Sequence, residues 1–314
     1  MTVKKLLILL FLITSSNSFI HAQGCSDAGI CTTGALNPDS DRLKFNKVDN
    51  KFTLSYQTYW QNYKEKAFDY GIGFSVDYKI NSRSSLQLKS LYAFREGPLT
   101  TTQGISDITL SYSYLVKQWD NWNLSAVFGT KIPTSDASST FEGKPIPMFY
   151  EPSLGTYDGL FGIALNSKAW HLSFGIQQPL TTLENHEYDP EYYKNEPNYE
   201  LMKKWYTSSR HLDRKYDVSG RIKYTLRTSK WSFAPSVLAI YKHDRTYIES
   251  LENGDYLLEG SQGLVINSIL EGSYNFSPHL SLSAIAAYAA KQRAFNPDGL
   301  ARDYVVNLII KHQF

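Results

Sequence analysis

The sequence predicts an all-β protein, a transmembrane antiparallel up-and-down β-barrel of about twelve strands. Three observations predict this fold. From Lys51 onward, apolar and polar side chains alternate in stretches of about ten residues. The connections between these stretches are alternately short and long. Mean hydropathy is −0.35 although 14% of the residues are aromatic, a combination that an alternating barrel with aromatic girdles produces.

The first 22 residues predict a secretory signal peptide. Lys4 and Lys5 precede the eight apolar residues 6–13, and Ala22 provides a small residue at the predicted cleavage site. This apolar stretch is too short to span a bilayer, and no later run reaches the roughly 18 apolar residues that a membrane helix needs. A lipoprotein anchor at Cys25 is the alternative, although the residues before it fit a lipobox poorly. We therefore exclude residues 1–22 from the predicted fold.

The charge of the chain argues against a nucleic-acid partner. The formal net charge is +2, and both lysines of the signal peptide contribute to it, so the mature chain is close to neutral. A nucleic-acid-binding domain would present a basic field. The sequence therefore predicts no nucleic-acid partner.

Residues 23–50 differ from the rest of the chain because they are rich in Gly, Asp, Asn and Thr and show little alternation. They contain the only two cysteines, Cys25 and Cys31, and in an exported protein so close a pair predicts one structural disulfide. A metal site needs more ligands, and a redox pair usually has two intervening residues, so no metal or cofactor is predicted. The segment is either a disordered periplasmic lead or a plug folded into the lumen.

The second alternating stretch is the clearest of the predicted strands. One face carries Tyr70, Ile72, Phe74, Val76, Tyr78 and Ile80, and the other carries Gly71, Gly73, Ser75, Asp77 and Lys79. Lipid outside and water or side chains inside require this division. In chain order, the apolar rows of the other eleven strands begin and end at Phe52 and Trp60, Leu86 and Phe94, Ile108 and Val116, Trp122 and Phe128, Tyr157 and Leu165, Trp170 and Ile176, Tyr216 and Leu226, Trp231 and Tyr241, Ile266 and Phe276, Leu280 and Tyr288, and Tyr304 and Phe314.

The connections predict which end of the barrel faces outward. An even number of strands keeps both chain ends in the periplasm, so the turns after even strands should be short and those after odd strands long. The short connections are 81–84, 118–121, 166–168, 227–230 and 275–278. The long ones are 96–104, 132–155, 180–213, 244–262 and 291–302, and only the turn near Lys64 to Lys66 departs from the rule.

The last strand resembles the closing strand of a bacterial outer-membrane barrel. Phe314 ends it, and Tyr304 lies on the same face near its start. An ordinary antiparallel sheet can also end this way. The resemblance implies a bacterial outer-membrane location, surrounding outer-membrane lipid and, as a partner, the barrel-assembly machinery that reads this segment.

Three segments in the middle of the chain resemble an outer-membrane family. Residues 104–112 contain Gly104 and, three positions later, Asp107. Residues 128–136 contain Lys131, Pro133 and Asp136, and residues 152–158 end at Asp158. In this order they resemble the family named for meta-pathway phenol degradation, which is related to the long-chain fatty-acid transporter barrels. That family shows G-x-x-D, then G-x-K-x-P-T-G-D, then a glycine-rich return with an aspartate.

The motif match covers roughly residues 104–165 and departs from the family at Ser135, where Gly is usual. The resemblance implies a barrel that admits small hydrophobic or aromatic molecules through the outer membrane. From this we expect a channel or transporter with a small hydrophobic ligand. The alternative is a structural or interaction barrel with a plugged lumen and no transported substrate.

Lys131 and Asp107 fall on the face opposite the apolar rows, so they are predicted to project into the lumen near the extracellular rim. They either pin the base of a long loop, through an ion pair with Asp136 or Asp158, or contact substrate directly. The wider predicted lumen carries charges of both signs that either pair with one another or line a narrow polar pore. These charges are Asp77, Lys79, Lys89, Arg95, Lys117, Asp217, Arg221, Lys223 and Glu271.

Two further features bear on function. The 180–213 loop mixes acids with aromatic residues and is predicted either to fold over the barrel mouth as a solvated loop or to capture an aromatic or cationic ligand. Pro235, in mid-strand, removes a ladder donor and is a candidate strand kink for lateral opening.

An enzyme is not predicted. A barrel hydrolase needs Ser and His, or Asp and His, brought together near one rim. His171 falls on the lumenal face, and His243 with Asp244 falls near the extracellular end of another strand, but neither lies in a barrel-hydrolase motif.

Overall fold

The computed structural model of the protein describes residue 36 and residues 51–63, 67–299 and 302–314. The predicted signal peptide, the Cys25–Cys31 disulfide and the Lys64–Lys66 turn lie outside the described residues. Of the segment 23–50, Leu36 is described. The described regular structure is dominated by strands.

The described residues form eighteen strands. They are β1 (Phe52–Tyr63), β2 (Ala67–Lys79), β3 (Ser84–Glu96), β4 (Thr101–Ile105), β5 (Ile108–Gln118), β6 (Asn123–Ile132), β7 (Thr140–Phe141), β8 (Lys144–Pro145), β9 (Asp158–Asn166), β10 (Trp170–Pro179), β11 (Asp217–Tyr224), β12 (Leu226–Arg227), β13 (Trp231–Lys242), β14 (Thr246–Ser250), β15 (Gly254–Leu258), β16 (Gly263–Asn275), β17 (Leu280–Lys291) and β18 (Arg302–Gln313). Two 3₁₀ turns, Met148–Tyr150 and Pro190–Tyr193, and one α-helix, Tyr199–Trp205, lie in the connections.

The wall is a closed antiparallel barrel of twelve strands, as predicted. β4 and β5 continue one wall strand across Ser106 and Asp107, and β11 and β12 continue another, while the hairpins β7–β8 and β14–β15 lie outside the wall. Pairing of β1 with β18 closes the barrel. Phe52 and Phe314 exchange two backbone hydrogen bonds of 3.0 Å at this seam.

The outer surface is apolar and the inner surface is polar, as lipid outside requires. On β2, Phe74 is 55% exposed while the next residue, Ser75, is 9% exposed. Aromatic pairs mark both edges of the apolar belt. Pairs at the end with the short connections include Trp170–Tyr224 and Trp231–Tyr274, and pairs at the other end include Trp60–Phe68 and Tyr70–Phe94. We call the end with the long connections the extracellular end.

Two details of the wall differ from the prediction. The expected long connection 96–104 is a hairpin that extends the wall, because β4 pairs with the end of β3 and Gly97 donates to the carbonyl of Thr100 across the turn. Lys117 was expected in the lumen, and this was wrong. A bulge between Leu115 and Lys117 reverses the alternation, so Lys117 is exposed with its Nζ 5.2 Å from the Trp119 ring.

Above the barrel, the connections 133–157, 180–216 and 243–262 pack into a layer that we call the cap. The cap has its own apolar core, which consists of Ala137, Met148, Leu154, Leu183, Leu212, Ile248 and Leu258. Tyr188 and Tyr193, expected as ligand-stacking residues or solvated loop residues, are 0% and 3% exposed. The cap is therefore a folded layer with its own core. No helix in the described part of the chain has the length and apolar character needed to cross a bilayer.

Candidate functional site

Asp107 and Lys131 form a buried ion pair at the extracellular rim of the lumen. Lys131 Nζ lies 2.8 Å from Asp107 Oδ2. The other oxygen of Asp107 accepts hydrogen bonds from Ser153 Oγ (2.6 Å) and from the backbone N–H of Leu154 (3.0 Å). Because Ser153 and Leu154 belong to the cap, this pair joins the wall to the cap. Lys131 was predicted to lie at the extracellular rim, either to pin a loop or to contact substrate, and the structure places it at the rim.

Of the two expected ion-pair partners of Lys131, Asp158 lies directly opposite it in the pairing of β6 with β9, where the two charges interact, whereas Asp136 lies elsewhere. Asp136 lies on the exposed side of the cap, where it accepts from Ser138 Oγ at 2.6 Å. Asp158, at the start of β9, is fully buried and lies 3.4 Å from Arg214 of the cap. Asp158 thus makes a second connection between wall and cap, next to the one that Asp107 makes.

A third buried cluster surrounds Asp298. Arg293 Nη2 lies 3.1 Å and Lys242 Nζ 3.7 Å from its carboxylate, and Arg293 also donates to the carbonyl of Ser261 at 2.6 Å. Burial alone would raise the pKa of Asp298, but Arg293, Lys242 and Arg214 outweigh burial and hold this pKa well below its usual range. The cluster fixes the connection after β17 against the cap.

Arg95, predicted to face the lumen, anchors a 3₁₀ turn of the cap. Its guanidinium lies 3.5 Å from Asp69 and donates to the backbone carbonyls of Phe149 (2.9 Å) and Glu151. Burial raises the pKa of Glu151, although hydrogen bonds from Ser139 act against this shift. The contacts of Arg95 are therefore structural ones between wall and cap.

Lower in the lumen, the predicted charges pair with one another. Arg221 and Lys223 on β11 both contact Glu271 on β16, with a Lys223 Nζ to Glu271 Oε2 distance of 2.5 Å. Arg221 also donates to Ser236 Oγ on β13 at 2.8 Å. This cluster spans β11, β13 and β16 and cross-links the periplasmic half of the wall. Asp77 likewise accepts from Gln87 at 2.8 Å.

An apolar layer lies against one side of the lumen, between these two charged regions. Leu36 is 1% exposed and packs against inward side chains of the wall. The layer consists of Leu36, Val127, Leu160, Ala164, Leu238, Ile240 and Val265, with Ile269 packed against it. Gly162 makes room for Leu36, because a Cβ at position 162 would come within 2.5 Å of Leu36 Cδ1. The sequence signal, overlooked in the pattern analysis, is a set of apolar residues at inward positions of four wall strands.

Beside the cap, an extracellular cleft of about 120 Å³ opens between the ends of β1 and β2, the cap and residues 294–299. Five aromatic side chains line it, namely Tyr63, Phe149, Trp205, Tyr206 and Phe295. Tyr63 packs edge-on against Phe149 with 4.8 Å between ring centroids. Lys204 also lines the cleft, with its Nζ 4.7 Å from the Trp205 ring.

Two histidines that the sequence analysis missed hold the cap together. His186 contacts the carbonyl of Ala137 and Ser209 Oγ, both at 2.7 Å, and burial lowers the pKa of His186 to about 4. His211 lies between Glu187 (2.8 Å) and Glu249 (2.5 Å). Burial alone would lower the pKa of His211, but these two carboxylates raise it. These contacts join the connections 133–157, 180–216 and 243–262. No short-range sequence pattern predicts them.

The two histidines considered for hydrolysis lie at opposite ends of the barrel. His171 is buried and bonds Asn166 (2.5 Å) near the periplasmic end, whereas His243 is exposed and bonds Asp244 (2.9 Å) near the extracellular end. Among the described residues, no cluster of three or more His, Cys, Asp or Glu side chains is arranged to hold a metal ion.

Pro235 does not open a seam in the wall. β13 pairs with β16 at every position from Trp231 to Lys242. On its other side it pairs with β11 and then β12 in one continuous register. On that side, pairing is interrupted only at Ala234 and at Pro235, which has no N–H to donate, so the expected lateral opening at Pro235 is not supported.

No protein-family model matches the chain, and none of the curated proteins matches it either. Among solved structures, it is similar to an outer-membrane channel from Pseudomonas putida F1, with 11% identity and a TM-score of 0.55 over 86% of this chain and 98% of that one. The NanC porin gives 10% identity and a TM-score of 0.47 over 83% of this chain and 100% of that one. At such identity the likeness to the Pseudomonas channel concerns the fold alone. The closed twelve-strand wall with its apolar outer belt is thus a barrel of the bacterial outer-membrane type, and this architecture indicates the bacterial outer membrane as its location.

Proposed function

We propose that the protein is an outer-membrane channel that admits small hydrophobic or aromatic molecules. The observation that carries this proposal is the apolar layer in the lumen. A solute that passes along this layer exchanges water for apolar side chains on that side, and this exchange is favourable only for an apolar surface. A pore for hydrophilic solutes would instead be lined by polar groups throughout.

The charges on either side of the layer support the same class of solute. The acids of the upper lumen contact basic partners, as in Asp107–Lys131, Asp158–Arg214 and Asp298–Arg293. Paired charges generate little net field, so they provide weak attraction for ions. The resemblance to the meta-pathway phenol-degradation family points to the same substrate class and is part of this proposal.

The second candidate is a structural or interaction barrel with a plugged lumen. Leu36 favours it, because this residue comes from the segment before β1 and fills part of the apolar layer. In that case residues 23–50 would serve as a permanent plug. The two candidates differ in whether any solute crosses.

Uptake of the fluorescent dye N-phenyl-1-naphthylamine into Gram-negative cells tests the proposal. We expect faster uptake in cells that produce the protein than in cells that do not. Leu238→Gln places an amide in the apolar layer and should slow uptake several-fold, whereas Val237→Ala, on the lipid face of the same strand, should not. Equal uptake with and without the protein would exclude the transport proposal and favour the plugged barrel.

Single-channel conductance with and without residues 23–50 examines the plug separately. A conductance that rises when the segment is removed would identify it as the plug of a pore. A closed barrel in both forms, together with absent dye uptake, would support the structural alternative.

We also propose that the barrel-assembly machinery recognises β18. Tyr304 and Phe314 point outward and are 51% and 48% exposed. Phe314→Ala removes the ring but keeps the backbone hydrogen bonds to Phe52, so a lower yield of assembled barrel would assign recognition to the side chain. An unchanged assembly rate in cells would contradict this assignment.

A further inference from the structure

The extracellular cleft combines an aromatic lining with one positive charge. Of the fourteen residues that line it, Lys204 is the only charged one. Phe295, which also lines the cleft, is 45% exposed although it adjoins Gly260 of the cap. An exposed ring and an uncompensated cation facing one small cleft are features of a ligand site rather than of a packed junction.

Lys204 differs from its neighbour in the helix, Lys203. Lys203 Nζ contacts both oxygens of Glu252, at 2.9 and 2.8 Å. Successive residues of an α-helix point about 100° apart, so Lys204 faces away from Glu252 and toward the cleft. No carboxylate of the described residues lies within 4.0 Å of Lys204 Nζ, whose described contact is the Trp205 ring.

The shape of the cleft limits the size of the ligand. Its volume of about 120 Å³ is well below the roughly 300–1,000 Å³ of sites for drug-sized molecules. Trp205 and Phe295 offer flat apolar surfaces, and aromatic rings pack on such surfaces in stacked or edge-to-face geometry. A body of one or two rings therefore fits the lining better than a flexible chain.

We propose that this cleft binds a small aromatic carboxylate, with its ring against Trp205 and Phe295 and its carboxylate accepting a hydrogen bond from Lys204 Nζ. The inference rests on the proposed function, because the cleft would be the capture site from which the channel is loaded. It adds an anionic group to the substrate class. In this proposal, Lys204 is the residue that makes the cleft prefer a carboxylate over its neutral counterpart.

The ionic contact has a measurable size. A charge-assisted hydrogen bond in a partly enclosed site contributes about tenfold to affinity. The full mature barrel in detergent should therefore bind 2-naphthoate about tenfold more tightly than 2-naphthamide, which has the same rings and no charge. Isothermal titration calorimetry at low salt gives both affinities, and 0.5 M NaCl should reduce the difference because salt screens exposed charges.

Three variants separate the contributions. Lys204→Met should remove the preference for the acid and leave binding of the amide unchanged. Lys203→Met is the matched control, because it removes the same charge from the adjacent position and should preserve the preference. Phe295→Ala should weaken both ligands to a similar extent.

Equal affinity for 2-naphthoate and 2-naphthamide, or equal effects of the two lysine substitutions, would overturn the proposal. Its failure is distinguishable from failure of the channel function. If the naphthoate does not bind but dye uptake still depends on Leu238, only the capture site is lost. If the naphthoate binds but no dye crosses, the cleft is a ligand site on a barrel that does not transport.

Discussion

Lys131 on β6 and Asp107, in the break between β4 and β5, form an ion pair with 2.8 Å between Nζ and Oδ2 and with both side chains at most 4% exposed. Asp107 also holds Ser153 and Leu154 of the cap. One carboxylate thus connects two wall strands and the cap. The extracellular layer therefore depends on a buried charge of the wall.

Asp107→Asn is expected to lower the free energy of unfolding by about 3–5 kcal/mol, because it removes one partner of a buried ion pair in which Lys131 Nζ lies 2.8 Å from Asp107 Oδ2. Equilibrium urea unfolding in lipid, followed by tryptophan fluorescence, measures this change. Asp136→Asn, on the exposed side of the cap, is the control and should shift the midpoint little. A shift no larger than that of the control would contradict the structural role of the pair.

Glu271→Gln is expected to make the lumen more selective for anions. Arg221 and Lys223 both contact Glu271, so the substitution adds one net positive charge at this level of the wall. The reversal potential in a potassium chloride gradient should move toward the chloride equilibrium potential. Ser236→Ala, which removes only a hydroxyl bonded to Arg221, should leave the potential unchanged, and an equal shift in both variants would refute the electrostatic explanation.

Acid should loosen the cap through His186. Its pKa of about 4 lies below the ordinary value of 6.5, so between these pH values the unfolded cap binds a proton that the folded cap does not. The stability contribution is complete above pH 6.5 and is lost as the pH falls toward 4, by on the order of 3 kcal/mol. Hydrogen-exchange protection of residues 183–212, corrected for intrinsic rates, should fall over this range.

His186→Gln should flatten that acid dependence, whereas His243→Gln, on the exposed surface, should preserve it. His211 acts in the opposite direction. Its raised pKa means that its contribution is complete below pH 6.5 and is lost as the pH rises through the raised value. A cap whose protection stays constant from pH 6.5 to 4.5 would exclude His186 as the acid-sensitive group.

Gly162→Ala is expected to displace Leu36 and to destabilise the barrel by about 1–3 kcal/mol. The new methyl would lie 2.5 Å from Leu36 Cδ1 and 2.8 Å from the carbonyl oxygen of Phe174. Gly220→Ala is the matched control, since its nearest neighbour would be 3.9 Å away. A double-mutant cycle of Gly162→Ala with Leu36→Ala measures the coupling between the two positions. Additive effects would show that the new methyl does not clash with Leu36.

The strands of the wall could be predicted from the sequence because the same local requirement applies to each of them. Each strand passes through lipid, so every second side chain must be apolar, as in Phe74 and Ser75 on β2. The same reasoning predicted the lumenal positions of Asp107, Lys131, Arg221 and Glu271. It failed at Lys117 because a bulge adds one residue to the strand, and nothing in the composition of β5 marks that residue.

The partners of the lumenal residues were harder to predict. Arg95 contacts Glu151, and Arg214 contacts Asp158, across separations of 56 residues in each case. Such contacts depend on how the long connections fold over the barrel, and these connections carry no periodic pattern. For this reason the ion pair between Lys131 and Asp107 was not predicted, and His186 and His211 were overlooked.

The seam between β1 and β18 governs how the chain can reach its final form. The first and last wall strands are neighbours in space but lie at opposite ends of the described barrel sequence, so this contact has the highest contact order in the wall. An incomplete barrel would expose two rows of unpaired amides to hydrocarbon, at a cost of several kcal/mol per group. Lateral growth of the sheet, strand by strand, inside lipid is therefore unfavourable unless another protein pairs with the open edges. Without such a partner we expect insertion and closure to occur as one cooperative step, and a chain that lacks β18 should accumulate outside the bilayer.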